Sequence, residues 1–263
     1  MKFKLGFTSG EEKEKTNDVT TVATEGEKEC CVRSIVKVGF DDGRVFPYYN
    51  DTFDLKKGDV VYVDGKLQGK RGIVLDVTTK FKVDLEVYKR VIAKLDFDFH
   101  GEFVKINSFM VSFNENSLPF EQVKSWYFPP KEKEQEFFTG DGYTFDLLTD
   151  EDDLDFVLYN KAMELLNDGA LKYLNIANGV GRAIIGNENV HIVEFNYNAE
   201  TCVVTDMYCD CLAFGFCKHC VAVCIALHKL INDEQYDEEK SFSALNVTDF
   251  LDIVIKNVKK ITL

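Results

Sequence analysis

From Val32 onward the chain alternates short apolar stretches with turn residues. Val32, Ile35, Val36 and Val38 precede Asp41-Asp42-Gly43-Arg44, a hairpin-type turn, and Val45–Tyr49 resumes the strand. A strand over Leu55–Val63, a turn at Asp64-Gly65 and a strand over Gly69–Val77 follow, and Phe81–Val87 adds another before the Tyr88–Lys94 segment. Strands of this length and spacing predict a small curled β-barrel or sandwich-like domain. Phe97, Phe99, Phe103, Ile106, Phe109, Val111 and Phe113 fall mostly at odd spacing, which predicts one or two more strands of the same domain. Pro129-Pro130 closes it, because a proline pair cannot continue a strand ladder. With no arginine interleaved, this aromatic series reads as core and not as a base-stacking platform.

The period changes after residue 150. Leu154, Val157, Leu158, Ala162, Leu165 and Leu166 outline a helix, and the acidic run Asp150-Glu151-Asp152-Asp153 suits its N-terminus. Asn178–Gly186 does not have the spacing of a dinucleotide-binding glycine loop, and no helix opens after it. Two strands, Val180–Ile185 and Val190–Phe195, account for it better, joined by Gly186-Asn187-Glu188-Asn189. Cys202–Tyr208 makes a further strand and His219–Ile231 a helix. Leu245, Val247, Phe250, Leu251, Val254, Ile255 and Val258 outline a last amphipathic helix. The fold class is therefore expected to be α+β. A flexible arm over 1–29, a β-rich domain over 30–130, an acidic linker over 131–150 and a mixed region over 151–263 make up the expected organisation.

Charge narrows the function classes. The formal net charge of −14 argues against a general polyanion binder, whose affinity rests on lysines and arginines neutralising phosphates. The charge is uneven: residues 33–96 hold 13 Lys/Arg against 10 Asp/Glu, whereas 131–155 hold 2 against 10. The β-rich region is thus mildly basic, and the connector carries much of the acid. No apolar run is long enough to span a membrane, and Met1–Gly6 is followed by glutamates without an apolar signal region. A cytoplasmic protein is expected, and there clustered cysteines bind metal more often than they pair.

The cysteines supply the candidate chemistry. Five of the eight lie between Cys209 and Cys224, and Cys209, Cys211, Cys217 and His219 form a C-x-C-x5-C-x-H array. Four such donors suit a closed tetrahedral Zn2+ site, which is structural because no position is left for water or substrate. Cys209 and Cys211 can reach one ion from a strand end, and Cys217 and His219 from the start of the next helix, with Gly215 reversing the chain between the pairs. Cys220 can also replace a ligand, whereas Cys224 and His228 fit the helix face. Adjacent Cys30 and Cys31 point in different directions in a strand and read as buried small residues. No paired carboxylates or Cys/His dyad outside the cluster suggests catalysis.

The stretch Tyr208-Cys209-Asp210-Cys211, followed by Gly215-Phe216-Cys217-Lys218-His219-Cys220-Val221-Ala222, resembles the SWIM zinc finger over roughly residues 170–231. The resemblance places Cys209, Cys211, Cys217 and His219 on the four ligand positions and Ala222 on the alanine that follows the histidine. It implies a β-hairpin-plus-helix finger and a non-enzymatic, zinc-binding interaction module. Such a module would be an adaptor associated with DNA or RNA, or alternatively a protein–protein subunit of a mobile-element or replication complex. The upstream phrase Leu55-Lys56-Lys57-Gly58-Asp59 is similar to the small SH3-like and KOW-type barrels of nucleic-acid-handling proteins.

Overall fold

The computed structural model describes residues 33–81, 87–99, 101, 103–106, 109–130, 142–147, 154–213, 215–232 and 241–255. The chain divides into Met1–Cys31, which lies outside these residues, and Val32–Leu263. The arm over 1–29, Cys30 and Cys31, and the acidic run Asp150–Asp153 all fall outside the described set.

Val32–Leu263 is an α+β unit built on two antiparallel sheets. The first takes β1 (Ser34–Gly39), β2 (Val45–Asn50), β3 (Val60–Val63), β4 (Arg71–Thr78) and β5 (Val91–Lys94) in the order β2-β1-β4-β3-β5. The turn at Asp41–Arg44 forms as its residues require, with Gly43 at φ +80°. Val36, Val38, Val61, Val63 and Val74 fill its interior. The expected barrel or sandwich is not closed. Among the described residues an isolated bridge between Tyr49 and Arg90, with the Tyr49 amide donating to the Lys89 carbonyl at 2.8 Å, links β2 to the approach of β5.

The second sheet has eight strands in the order β6-β7-β13-β9-β10-β11-β12-β8. β9 (Leu171–Ala177), β10 (Val180–Ile185), β11 (His191–Asn198) and β12 (Val203–Cys209) form an antiparallel meander. Asn178 and Gly179 turn β9 into β10 with φ of 52° and 78°, the left-handed pair that a two-residue hairpin needs. Gly181 lies against the Phe195 ring, and a Cβ there would come within 2.1 Å of it, so no larger residue fits. Both faces of the meander are covered. Leu174, Ile176, Ala183, Ile185 and Val193 pack with helices α2 (Phe156–Asn167) and α3 (Lys218–Ile231). Tyr173, Ile184 and Ile192 pack on the other side with Trp126 of helix α1 (Phe120–Tyr127) and with Tyr62 and Leu95 at the first sheet. The Asp155 side chain caps α2, accepting from the amides of Val157 and Leu158.

Three expectations change. The strands expected within 96–130 exist as β6 (Phe103–Ile106) and β7 (Met110–Phe113), but they join the second sheet and α1 follows them. All four β7 residues are buried, as suits an interior strand covered on both faces. Tyr143–Asp146, within the expected connector, forms β8 at the edge beside β12. The last amphipathic helix begins later than its apolar spacing implied, at Val247 and not at Leu245, and Val258 lies outside the described residues. Phe242–Asn246 forms β13 between β7 and β9, and helical backbone, partly π-type, runs only over Val247–Ile255 among the described residues. No described helix is long and apolar enough to cross a membrane.

Candidate metal centre

Cys209 is the last residue of β12, paired with Val193 of β11. Cys211 follows in the turn, and Gly215 (φ +95°) reverses the chain where an L side chain would be strained. Phe216 then anchors the returning loop on β8, its ring 5.6 Å from that of Phe145 and 5.6 Å from that of Tyr143. Cys217 occupies the N-cap of α3, and its side chain caps no amide. His219 lies in the first turn.

This path brings all four expected ligands together. Their ligand atoms lie within 4.8 Å of one another, so the cluster can hold a metal ion. His219 presents Nδ1, 3.7 Å from Cys209 Sγ and 3.9 Å from Cys217 Sγ. Cys217 and His219 are buried, while Cys209 and Cys211 are half-buried.

The sulfurs are not equivalent. Hydrogen bonds with Cys217 and then Cys220, together with burial, push the Cys209 thiol far up. The same neighbours, Cys209 first and Cys220 second, pull the Cys217 thiol well below its usual range. Burial raises Cys211. An ion bound by all three sulfurs must displace the thiol protons that they carry. Backbone donors are already in place: the amide of Cys211 lies by the Cys209 sulfur and that of Ala213 by Cys211. Donors so placed stabilise thiolate charge and orient the ligands.

A second layer, His191 and Asp210, was not picked out from the sequence, although an acid between two ligand cysteines was a usable signal. Asp210 Oδ1 lies 2.9 Å from His191 Nδ1 and accepts from the Ile192 amide at 3.1 Å. A carboxylate only accepts, so His191 Nδ1 carries the hydrogen. The Asp210 amide donates back to the Ile192 carbonyl, and the His191 ring packs 4.6 Å from that of His219. One side chain thus ties the Cys209–Cys211 turn to β11 and supports the ligand imidazole through a neighbouring ring. Asp210→Ala is expected to weaken metal affinity about 10–100-fold, the usual effect of losing an outer-shell partner. Chelator competition would measure this, and an unchanged affinity would remove Asp210 from the site.

The remaining candidates separate cleanly. Cys224 packs in the core, with its sulfur 3.7 Å from Met207 Sδ. His228 is nine residues beyond His219 on one helix, about 14 Å along its axis, too far to share the ion. Cys220 is buried, with Sγ 3.6 Å from Cys217 Sγ. No family model matches the chain, and no curated protein or solved structure matches it either.

Proposed function

We propose that this protein is a non-enzymatic, zinc-binding interaction module of the SWIM type, with Zn2+ held by Cys209, Cys211, Cys217 and His219. The observation that carries this is the closed donor set. Zinc bonds of about 2.3 Å to sulfur and 2.05 Å to nitrogen at tetrahedral angles put sulfur and nitrogen about 3.6 Å apart. The distances of 3.7 and 3.9 Å to His219 Nδ1 fit an ion of this size with little adjustment. Three thiolates and a neutral imidazole fill the coordination sphere and leave no open position for substrate, so the zinc serves structure. The C-x-C-x5-C-x-H motif and the strand-then-helix setting support the SWIM reading.

Two partner classes compete, and charge favours protein over DNA or RNA. Six basic residues of the mildly basic region stand beside carboxylates: Lys37 with Asp76, Arg44 and Lys70 with Asp42, Lys56 with Asp54, Arg90 with Asp51, and Lys94 with Asp59. Such exposed pairs are individually weak, about 0–1 kcal/mol, but a phosphate approaching them meets nearly balanced charge. Leu212, meanwhile, is 99% exposed on the loop between the two ligand pairs. A lone exposed leucine is ordinary on most surfaces. Here the backbone on both sides of it is pinned by ligands, so its presentation costs a partner little ordering entropy.

The test is metal content of the purified chain together with binding of labelled DNA and RNA across a salt series. One zinc per chain with no salt-dependent binding is expected. A salt-sensitive dissociation constant in the micromolar range or tighter would restore the nucleic-acid adaptor, and a chain without zinc would overturn the module itself.

A further inference from the structure

We infer that Cys220 is an inner reserve ligand, able to take the place of Cys211 on the ion; this rests on the zinc reading above. Cys220 is 2% exposed. Its sulfur lies 3.6 Å from Cys217 Sγ. Two thiolates on one tetrahedral zinc sit about 3.8 Å apart, so Cys220 already stands at ligand spacing from Cys217.

Burial alone does not account for this placement. A free cysteine in a core behaves as a small apolar residue and needs no sulfur beside it. Cys224, one turn further along α3, has as its sulfur neighbour the core thioether of Met207, which is no ligand of the cluster. Cys220 has a ligand sulfur as its neighbour, Cys217 Sγ. The alternatives differ in setting. Cys211 is half-buried on the loop that carries Leu212, whereas Cys220 sits in the first turn of α3.

The exchange is chemically conservative. One thiolate leaves the ion and takes a proton, and another thiol gives up its proton and binds. Ligand count, ligand charge and the three shared donors Cys209, Cys217 and His219 are unchanged. The loop can then move away with Cys211, for example when Leu212 engages a partner, without loss of the ion.

The experiment uses the full chain as wild type, C211S, C220S and C211S/C220S, loaded with zinc and, separately, with cadmium-113. The wild type, C220S and C211S should each hold one ion per chain, and the double variant should lose it. In cadmium-loaded C211S, proton–cadmium correlation should show coupling to the Cys220 β-protons. A C211S variant that holds no ion, or holds one without that coupling, overturns the reserve-ligand role while wild-type binding leaves the zinc site standing. A wild type that holds no ion would instead remove the zinc reading on which the role rests.

Discussion

Cys217→Ser is expected to strip the metal and lower the unfolding temperature without unfolding the protein at ambient temperature. Cys217 is the sulfur at which the cluster converges: it contacts Cys209, Cys220 and His219 Nδ1. An ion at about a thousand times its dissociation constant stabilises the folded state by about 4 kcal/mol. For a unit of this size 1 kcal/mol corresponds to about 2–4 °C, so the loss should be about 8–16 °C. One effect runs the other way. Residue 217 is the N-cap of α3 and caps nothing at present, and serine there can recover about 0.5–2 kcal/mol. The metal term still dominates.

The fold should survive because α3 does not depend on the ion alone. Val221 to Leu227 of α3 are all buried in the core against the meander and α2. This differs from isolated zinc fingers, which unfold without metal. Melting curves of wild type with and without chelator, beside Cys217→Ser, would measure the effect. Stoichiometric metal in the variant, or a melting temperature that chelator does not change in the wild type, would refute the expectation.

Trp126→Ala should cost about 3–5 kcal/mol, the range for removing a large buried aromatic. Trp126 is fully buried in the cluster that joins the two sheets, with Leu95 and Tyr62 from the first and Tyr173 and Ile184 from the second. Its indole N–H donates to the Asp96 carbonyl at 2.6 Å, and its ring lies 5.5 Å from that of Phe97. Alanine removes the volume, the ring contact and the donor together, whereas phenylalanine keeps most of the volume and should cost markedly less. Trp126 is the only tryptophan, so urea unfolding must be followed by circular dichroism and not by its fluorescence. A loss below about 1 kcal/mol, typical of surface sites, would mean that this cluster does not hold the sheets together.

The clustering of Cys209, Cys211, Cys217 and His219 was legible in the sequence because its members are local. Residues at these positions need only a strand end, a glycine reversal and a helix start to meet, and each has a short-range signal. The turns at Asp41–Arg44 and Asp64-Gly65 were legible for the same reason. Sheet membership was not. Nothing in Met110–Phe113 indicates that its partner is Phe242–Asn246, because that pairing is set by packing across the fold. Leu245 and Val247 fit a helical spacing, yet Phe242–Asn246 is buried at every residue, and a strand covered on both faces loses the alternation that would reveal it. Asp210 and His191 escaped for a related reason: their partnership crosses two strands and exists only once β11 lies beside β12.

The position of β13 also governs the order of assembly. β6 and β7 reach the rest of their sheet only through β13, which pairs with β7 on one side and β9 on the other. Closing that junction joins segments about 130 residues apart, and the entropy of so long a loop is lost before the contacts form. The β9–β12 meander, built from neighbouring hairpins, can form early and carries Cys209 at its end. During synthesis the edge of β9 then stays unpaired until residue 246 has left the ribosome, which leaves a long apolar strand edge open to mispairing.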